Sequence, residues 1–138
     1  MVYDLVIVGG GPAGAAAAVY ASRKKLQTLF ITAEWGGQSV VSEQIFNWIG
    51  TTSLSGNELA ANFKKHVLAN TGESLKVREG EKVSSIEKND TGFVIKIEGK
   101  SEEFLTKTVL IASGSGRRKL IAKNADALEH KGLTYCAS

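Results

Sequence analysis

The cluster Gly9-Gly10-Gly11-Pro12-Ala13-Gly14 restricts this chain more than any other feature, because of what flanks it. Before it runs Tyr3-Asp4-Leu5-Val6-Ile7-Val8, a β-branched segment whose near-continuous apolar character suits a strand covered on both faces, as in a parallel sheet. After it comes Ala13-Gly14-Ala15-Ala16-Ala17-Ala18, strong helix-forming sequence, with Pro12 where a first helical turn tolerates it. The helix is expected to reach about Arg23, where Arg23, Lys24 and Lys25 complement its negative end. Thr28-Leu29-Phe30-Ile31-Thr32 reads as the next strand. Strand, glycine turn, helix and strand within about 30 residues make a βαβ unit.

In such a unit Gly9-x-Gly11-x-x-Gly14 has a mechanical meaning. The first glycine permits the tight turn, the second lets backbone approach a pyrophosphate, and the third lets the helix pack close to the strand. Free amides of Gly11, Ala13 and Gly14, together with the helix dipole, form an anion site. The motif predicts dinucleotide binding and does not choose between FAD and NAD. A ribose-binding acid is expected about 20 residues further on. The strand is read as ending at Thr32 with Glu34 in the loop beyond, so the Glu34 carboxylate and the Thr32 hydroxyl are both candidates.

Past Thr32 no second βαβ unit is evident. A loop from Ala33 through Trp35-Gly36-Gly37-Gln38 continues without clear period to Gly50. Ser55-Gly56-Asn57-Glu58 has the capping-box pattern, and Leu59, Phe63 and Val67 at spacing four predict a helix from about Gly56 to Ala69. From Leu75 the period changes to two. Strands are expected at Val83–Lys88 and Phe93–Glu98 about a turn at Asn89-Asp90-Thr91-Gly92, then near Glu103–Thr106, giving an antiparallel meander. Val109-Leu110-Ile111-Ala112 is a separate buried strand ending at Ser113-Gly114, and the tail shows only a weak helical tendency before Gly132.

Composition removes several classes of function. Seventeen basic against 14 acidic residues leave an excess of three, spread over short clusters, so no nucleic-acid partner is expected. The longest small, apolar stretch, Ala13–Ala21, is far short of the roughly 18 residues of a membrane span. Met1-Val2-Tyr3-Asp4 lacks the basic start of a secretory signal. His66 and His130 have no partners at metal spacing, so no metal is expected. Cys136 is the single cysteine, which rules out an intrachain disulfide and suits a reducing, cytoplasmic setting.

Taken together, Tyr3 through Gly14 resembles the opening of the flavoprotein disulfide reductases, and Trp35-Gly36-Gly37-Gln38 narrows the likeness to the thioredoxin reductase-like group. Asn47-Trp48-Ile49-Gly50, Leu54 to Leu59, Val109 to Gly114 and Gly132 to Ser138 match in the same order. The resemblance implies an α/β, Rossmann-like FAD-binding domain with a parallel sheet and an inserted antiparallel meander. Residues 1–116 would form this domain, and 117–138 would lead into an NADPH-binding, redox-cysteine domain. By position, Gly9, Gly11, Pro12, Ala13 and Gly14 would hold the FAD pyrophosphate, and Thr32, Ala33 and Glu34 would lie beside the adenosine ribose. Gly37, Gln38 and Asn47 would approach the ribityl and flavin end, Val83 would meet the adenine through its backbone, and Ala112, Ser113 and Gly114 would pass against the cofactor.

The activity so implied passes electrons from NADPH through FAD to a Cys-x-x-Cys pair and on to a thioredoxin-like dithiol protein, in a homodimer. Cys136-Ala137-Ser138 supplies three of the four positions of that pair, and a relay needs a second sulfur. The complete protein would also need a second glycine motif for NADPH and a later segment with an aspartate for the ribityl chain. A ferredoxin or flavodoxin NADP reductase of the same type, or a module that binds FAD or an adenine nucleotide without turnover, are the other readings.

Overall fold

The computed structural model describes residues 1–116, 118–129 and 131–133; Cys136 lies outside the described residues. The chain runs β1 (Val2–Gly10), α1 (Pro12–Arg23), β2 (Thr28–Trp35), a 3-10 turn (Gly37–Val41), α2 (Gly56–Ala69), β3 (Leu75–Glu79), β4 (Val83–Asn89), β5 (Gly92–Ile97), β6 (Glu103–Ile111) and a one-turn α3 (Ala125–Leu128). One six-stranded sheet orders them β3-β2-β1-β6-β5-β4.

β1 is the spine. It pairs in parallel with β2, Ile7 opposite Phe30, and with β6, Ile7 opposite Leu110. Successive residues of a strand face opposite sides, and Val6 and Ile7 are both fully buried, so both faces are covered. On one side Ile7, Phe30 and Leu75 meet Ala15, Ala18 and Ala21 of α1 and Val67 of α2. The alanines recur every three residues and keep α1 close to the strands. On the other side Val6, Leu29 and Ile31 meet Ile95 and Ile97 of β5, so the β4–β5 ribbon folds back across the sheet.

α2 has the predicted bounds because Ser55 and Glu58 close the capping box. The Ser55 hydroxyl accepts from the Glu58 amide at 3.1 Å, and the Glu58 carboxylate accepts from the Ser55 amide at 2.7 Å. The turn at Asn89 is also as expected, its side-chain oxygen accepting from the Thr91 amide at 3.0 Å.

Three expectations are corrected. A second crossover does exist: β3 lies parallel to β2, with α2 between them in sequence, giving the 3-2-1 half of a doubly wound sheet. The long loop after β2 disguises it. Glu103–Thr106 and Val109–Ile111 are one strand, not two. Its first residues pair antiparallel with β5, Thr106 opposite Phe93, while Thr106 is also opposite Tyr3 in parallel. The meander and the parallel strands therefore share β6 and form a single sheet. Finally, β2 continues to Trp35, which places Ala33 and Glu34 on the strand end rather than in a loop.

Candidate functional site

β1, β2 and β6 all end at the same edge of the parallel sheet, where ligands of open α/β folds bind. The four glycines at that edge have different neighbours. Gly9 has φ +116°, and a side chain there would run into the Ala112 carbonyl, so Ala112-Ser113-Gly114 crosses directly beside the turn. The Ala112 amide donates to the Val8 carbonyl at 2.8 Å and fixes that crossing. A side chain on Gly14 would overlap the Gly9 carbonyl, which is how closely α1 sits on the end of β1. Gly10 is backed by Thr32 and the Glu34 carbonyl. Gly11 alone is open: a Cβ would have only the Gly37 Cα nearby, at 3.9 Å.

The backbone at Gly11, φ −75° and ψ −176°, is extended and suits any residue. Nothing within the chain demands glycine there. Gly11 is the N-cap of α1, with no side-chain cap and no acid in the first turn. The amides of Ala13 and Gly14 belong to that first turn, where no intrahelical acceptor exists. An uncapped positive helix end beside a bare backbone surface is the arrangement that receives a phosphate group.

The ribose candidates differ. Thr32 is buried and its hydroxyl donates to the Glu34 carbonyl at 2.6 Å, which commits its proton. The Glu34 side chain is exposed and has no hydrogen-bond or ion-pair partner among the described residues, so its carboxylate oxygens are free to accept. Val83 opens β4 nearby, because the Glu81 amide donates to the Thr32 carbonyl at 3.2 Å and draws the β3–β4 connection to the end of β2. Arg78 holds that connection: its guanidinium donates to Glu81 at 2.9 Å and to Glu102 at 2.6 Å, and lies over the Phe104 ring. The hydrogen bond from Arg78, then that from Lys100, keeps the Glu81 carboxyl below the usual carboxylate range.

Gly37 and Gln38 are exposed on the 3-10 turn, and Gly37 faces Gly11. Asn47 is exposed in a loop pinched by the Ile45–Leu54 bridge and tied to α2 where Trp48 meets Phe63 edge-on, ring centroids 5.5 Å apart. Pro12, Ala13, Ser113 and Gly114 are exposed at the same edge. The structure thus brings Gly9, Gly11, Gly14, Thr32, Glu34, Gly37 and Ala112 into one corner, whereas Val83 follows the connection drawn to the end of β2 and Asn47 stands on the exposed loop before α2. Cys136 lies outside the described residues.

Gly10, Gly36 and Trp35 also stand beside this corner, Gly10 opposite Trp35 where β2 ends. Gly36 packs too tightly on Ala60 of α2 to carry a side chain, and its amide donates to the Gly10 carbonyl at 2.8 Å. The Gly36-Gly37 pair was a signal for such close approach, but its partners were invisible. Among the described residues no group of three His, Cys, Asp or Glu side chains could hold a metal, and no helix is long and apolar enough to cross a membrane.

Fold and cradle together define a Rossmann-like α/β nucleotide-binding architecture. More specifically, the chain belongs to the pyridine nucleotide-disulphide oxidoreductase family, whose model matches residues 3–138. Thioredoxin reductase of Ureaplasma parvum is 38% identical over 137 residues, 99% of this chain and 42% of that protein. An alkyl hydroperoxide reductase protein of Staphylococcus aureus is 34% identical over 134 residues, 97% of this chain and 26% of that protein. The thioredoxin reductase structure from Streptococcus pyogenes superposes with a TM-score of 0.83 at 31% identity, covering 99% of this chain and 43% of that one. The chain spans less than half the length of these relatives.

Proposed function

We propose that this chain forms the FAD-binding portion of a thioredoxin reductase-like oxidoreductase, which takes electrons from NADPH and delivers them through a cysteine pair to a thioredoxin-like dithiol protein. The observation that carries the reading is Gly11: bare backbone at the uncapped N-terminus of α1, with only the Gly37 Cα within 4 Å of where a side chain would begin, which leaves the first-turn amides open to a diphosphate. The residues around it fit FAD. Ala13 and Gly14 amides would bind the diphosphate, Pro12 adds no competing donor, and the exposed Glu34 carboxylate would accept hydrogen bonds from the adenosine ribose. Ala33 and the backbone of Val83 would line the adenosine side, with Gly37, Gln38 and Asn47 toward the ribityl and flavin end. Ala112, Ser113 and Gly114 would close the floor behind Gly9.

The flavin, when bound, supplies the two-electron chemistry, and the chain supplies its position. Cys136 would provide one thiol of the disulfide relay, whose attack on a disulfide requires a second thiol as partner. Residues 1–116 would act as the FAD-binding part and 117–138 as the passage to a nucleotide domain, in a cytoplasmic homodimer. The test is purification of the complete gene product, flavin content by absorbance after desalting, and NADPH-driven reduction of a dithiol protein. Retained FAD and turnover are expected. A protein that stays colourless when soaked in excess FAD overturns the reading.

A further inference from the structure

The geometry points to Trp35 as a positioning residue for the diphosphate turn, a role that rests on the FAD-binding reading above. Trp35 stands at the end of β2, opposite Gly10, after the register of the β1–β2 pair shifts. Two residues hold its indole, Phe30 of β2 and Glu79 of β3. The ring stacks on Phe30 with centroids 5.3 Å apart and planes at 26°. Phe30 in turn lies under the start of α1, its ring edge 3.5 Å from where a Gly14 Cβ would be. The indole N–H donates to the Glu79 carboxylate at the end of β3, at 3.0 Å, and Lys64 of α2 holds the same carboxylate at 2.7 Å.

What this clamp fixes is the next residue. Gly36 donates its amide to the Gly10 carbonyl at 2.8 Å and packs on Ala60 of α2. Gly37 then presents its Cα to Gly11, and a Cβ on Gly37 would stand 3.3 Å from the Gly11 Cα. The wall facing the diphosphate turn is therefore set by where β2 releases the chain, and the indole sets that point. A ring needed only to fill space would require no donor at a half-exposed edge. Trp35→Phe keeps an aromatic ring against Phe30 and loses the tie to Glu79. Among the described residues the side-chain partners of Glu79 are Trp35 and Lys64, so the effect travels through Trp35 and Gly36.

The test compares Trp35→Phe, Glu79→Ala and Glu79→Gln in the complete gene product. FAD affinity is read by flavin fluorescence, and exchange of the Gly36 amide by NMR or mass spectrometry in FAD-free protein. Trp35→Phe and Glu79→Ala should each weaken FAD about fivefold, the scale of one hydrogen bond to a charged acceptor that is partly exposed. Both should also speed exchange at Gly36 while α2 remains protected. Glu79→Gln keeps an acceptor for the indole and should stay within about twofold of the parent. Unchanged affinity and exchange in Trp35→Phe overturn the proposal. So does a loss in Trp35→Phe that Glu79→Ala does not share, since ring volume would then be responsible. The exchange measurement needs no FAD, so a parent protein that takes up no flavin removes the functional reading while Gly36 still decides the clamp.

Discussion

Replacing Gly11 by serine and Gly14 by alanine separates the part of the glycine turn that serves the fold from the part that serves a ligand. A Cβ on Gly14 overlaps the Gly9 carbonyl, so α1 must lift from β1. Overpacking of that kind costs about 1–3 kcal/mol, and alanine's helix propensity returns up to about 1. A net loss of about 1 kcal/mol lowers the midpoint by roughly 3–5 °C in a domain of this size. Gly11→Ser differs in every respect. Its nearest neighbour is 3.9 Å away and its backbone is unstrained. A serine N-cap oxygen accepts from the second or third helical amide, which are Ala13 and Gly14. Together with reduced freedom of the unfolded chain, the ligand-free fold should be unchanged or gain up to about 1 kcal/mol. The same hydroxyl occupies the amides assigned to the diphosphate. Losing that contact costs up to about 2 kcal/mol, or roughly thirtyfold in affinity, before any steric conflict is added. Thermal unfolding of ligand-free protein and FAD titration measure the two effects separately. A Gly11→Ser protein that is destabilised like Gly14→Ala, or that binds FAD as the parent does, refutes the reasoning.

Phe30→Ala should cost about 3–5 kcal/mol in urea unfolding, since Phe30 is fully buried beneath α1; a loss below about 1 kcal/mol contradicts the packing described. Ser55→Ala removes one half of the α2 capping box and should cost about 1 kcal/mol in thermal unfolding, with FAD affinity unchanged. Acid stability follows from Glu81, whose carboxyl is depressed by Arg78 and Lys100. Its contribution is present above the unfolded value of about 4.3 and is lost as pH falls through the lower folded value. Glu81→Gln should therefore flatten the acid limb of stability against pH, and an identical limb counts against the Arg78–Glu81 tie.

The first βαβ unit was legible because every local signal agreed: β-branched residues in β1, alanines in α1 and glycines between them. α2 was legible from its cap and spacing-four apolar residues. The second crossover was not, because 20 residues of aperiodic sequence separate Trp35 from Gly56 and β3 is only five residues long. β6 read as two strands because Thr106-Lys107-Thr108 interrupts its apolar run. In the structure Thr106 is buried and its hydroxyl donates to the Thr108 carbonyl at 2.9 Å, satisfying itself within one continuous strand. Of the site, the glycine spacing was visible from sequence. The division of labour among Gly9, Gly11 and Gly14 was not, since it depends on Ala112 and Gly37, far along the chain. The bond between Trp35 and Glu79, 44 residues apart, left no local trace either.

A crystal structure of the complete gene product grown with FAD tests the central claim most directly. The diphosphate oxygens should lie within about 3 Å of the Ala13 and Gly14 amides, over the open side of Gly11 and facing Gly37. A diphosphate bound at any other edge of the sheet, with the α1 amides hydrated, would contradict the account.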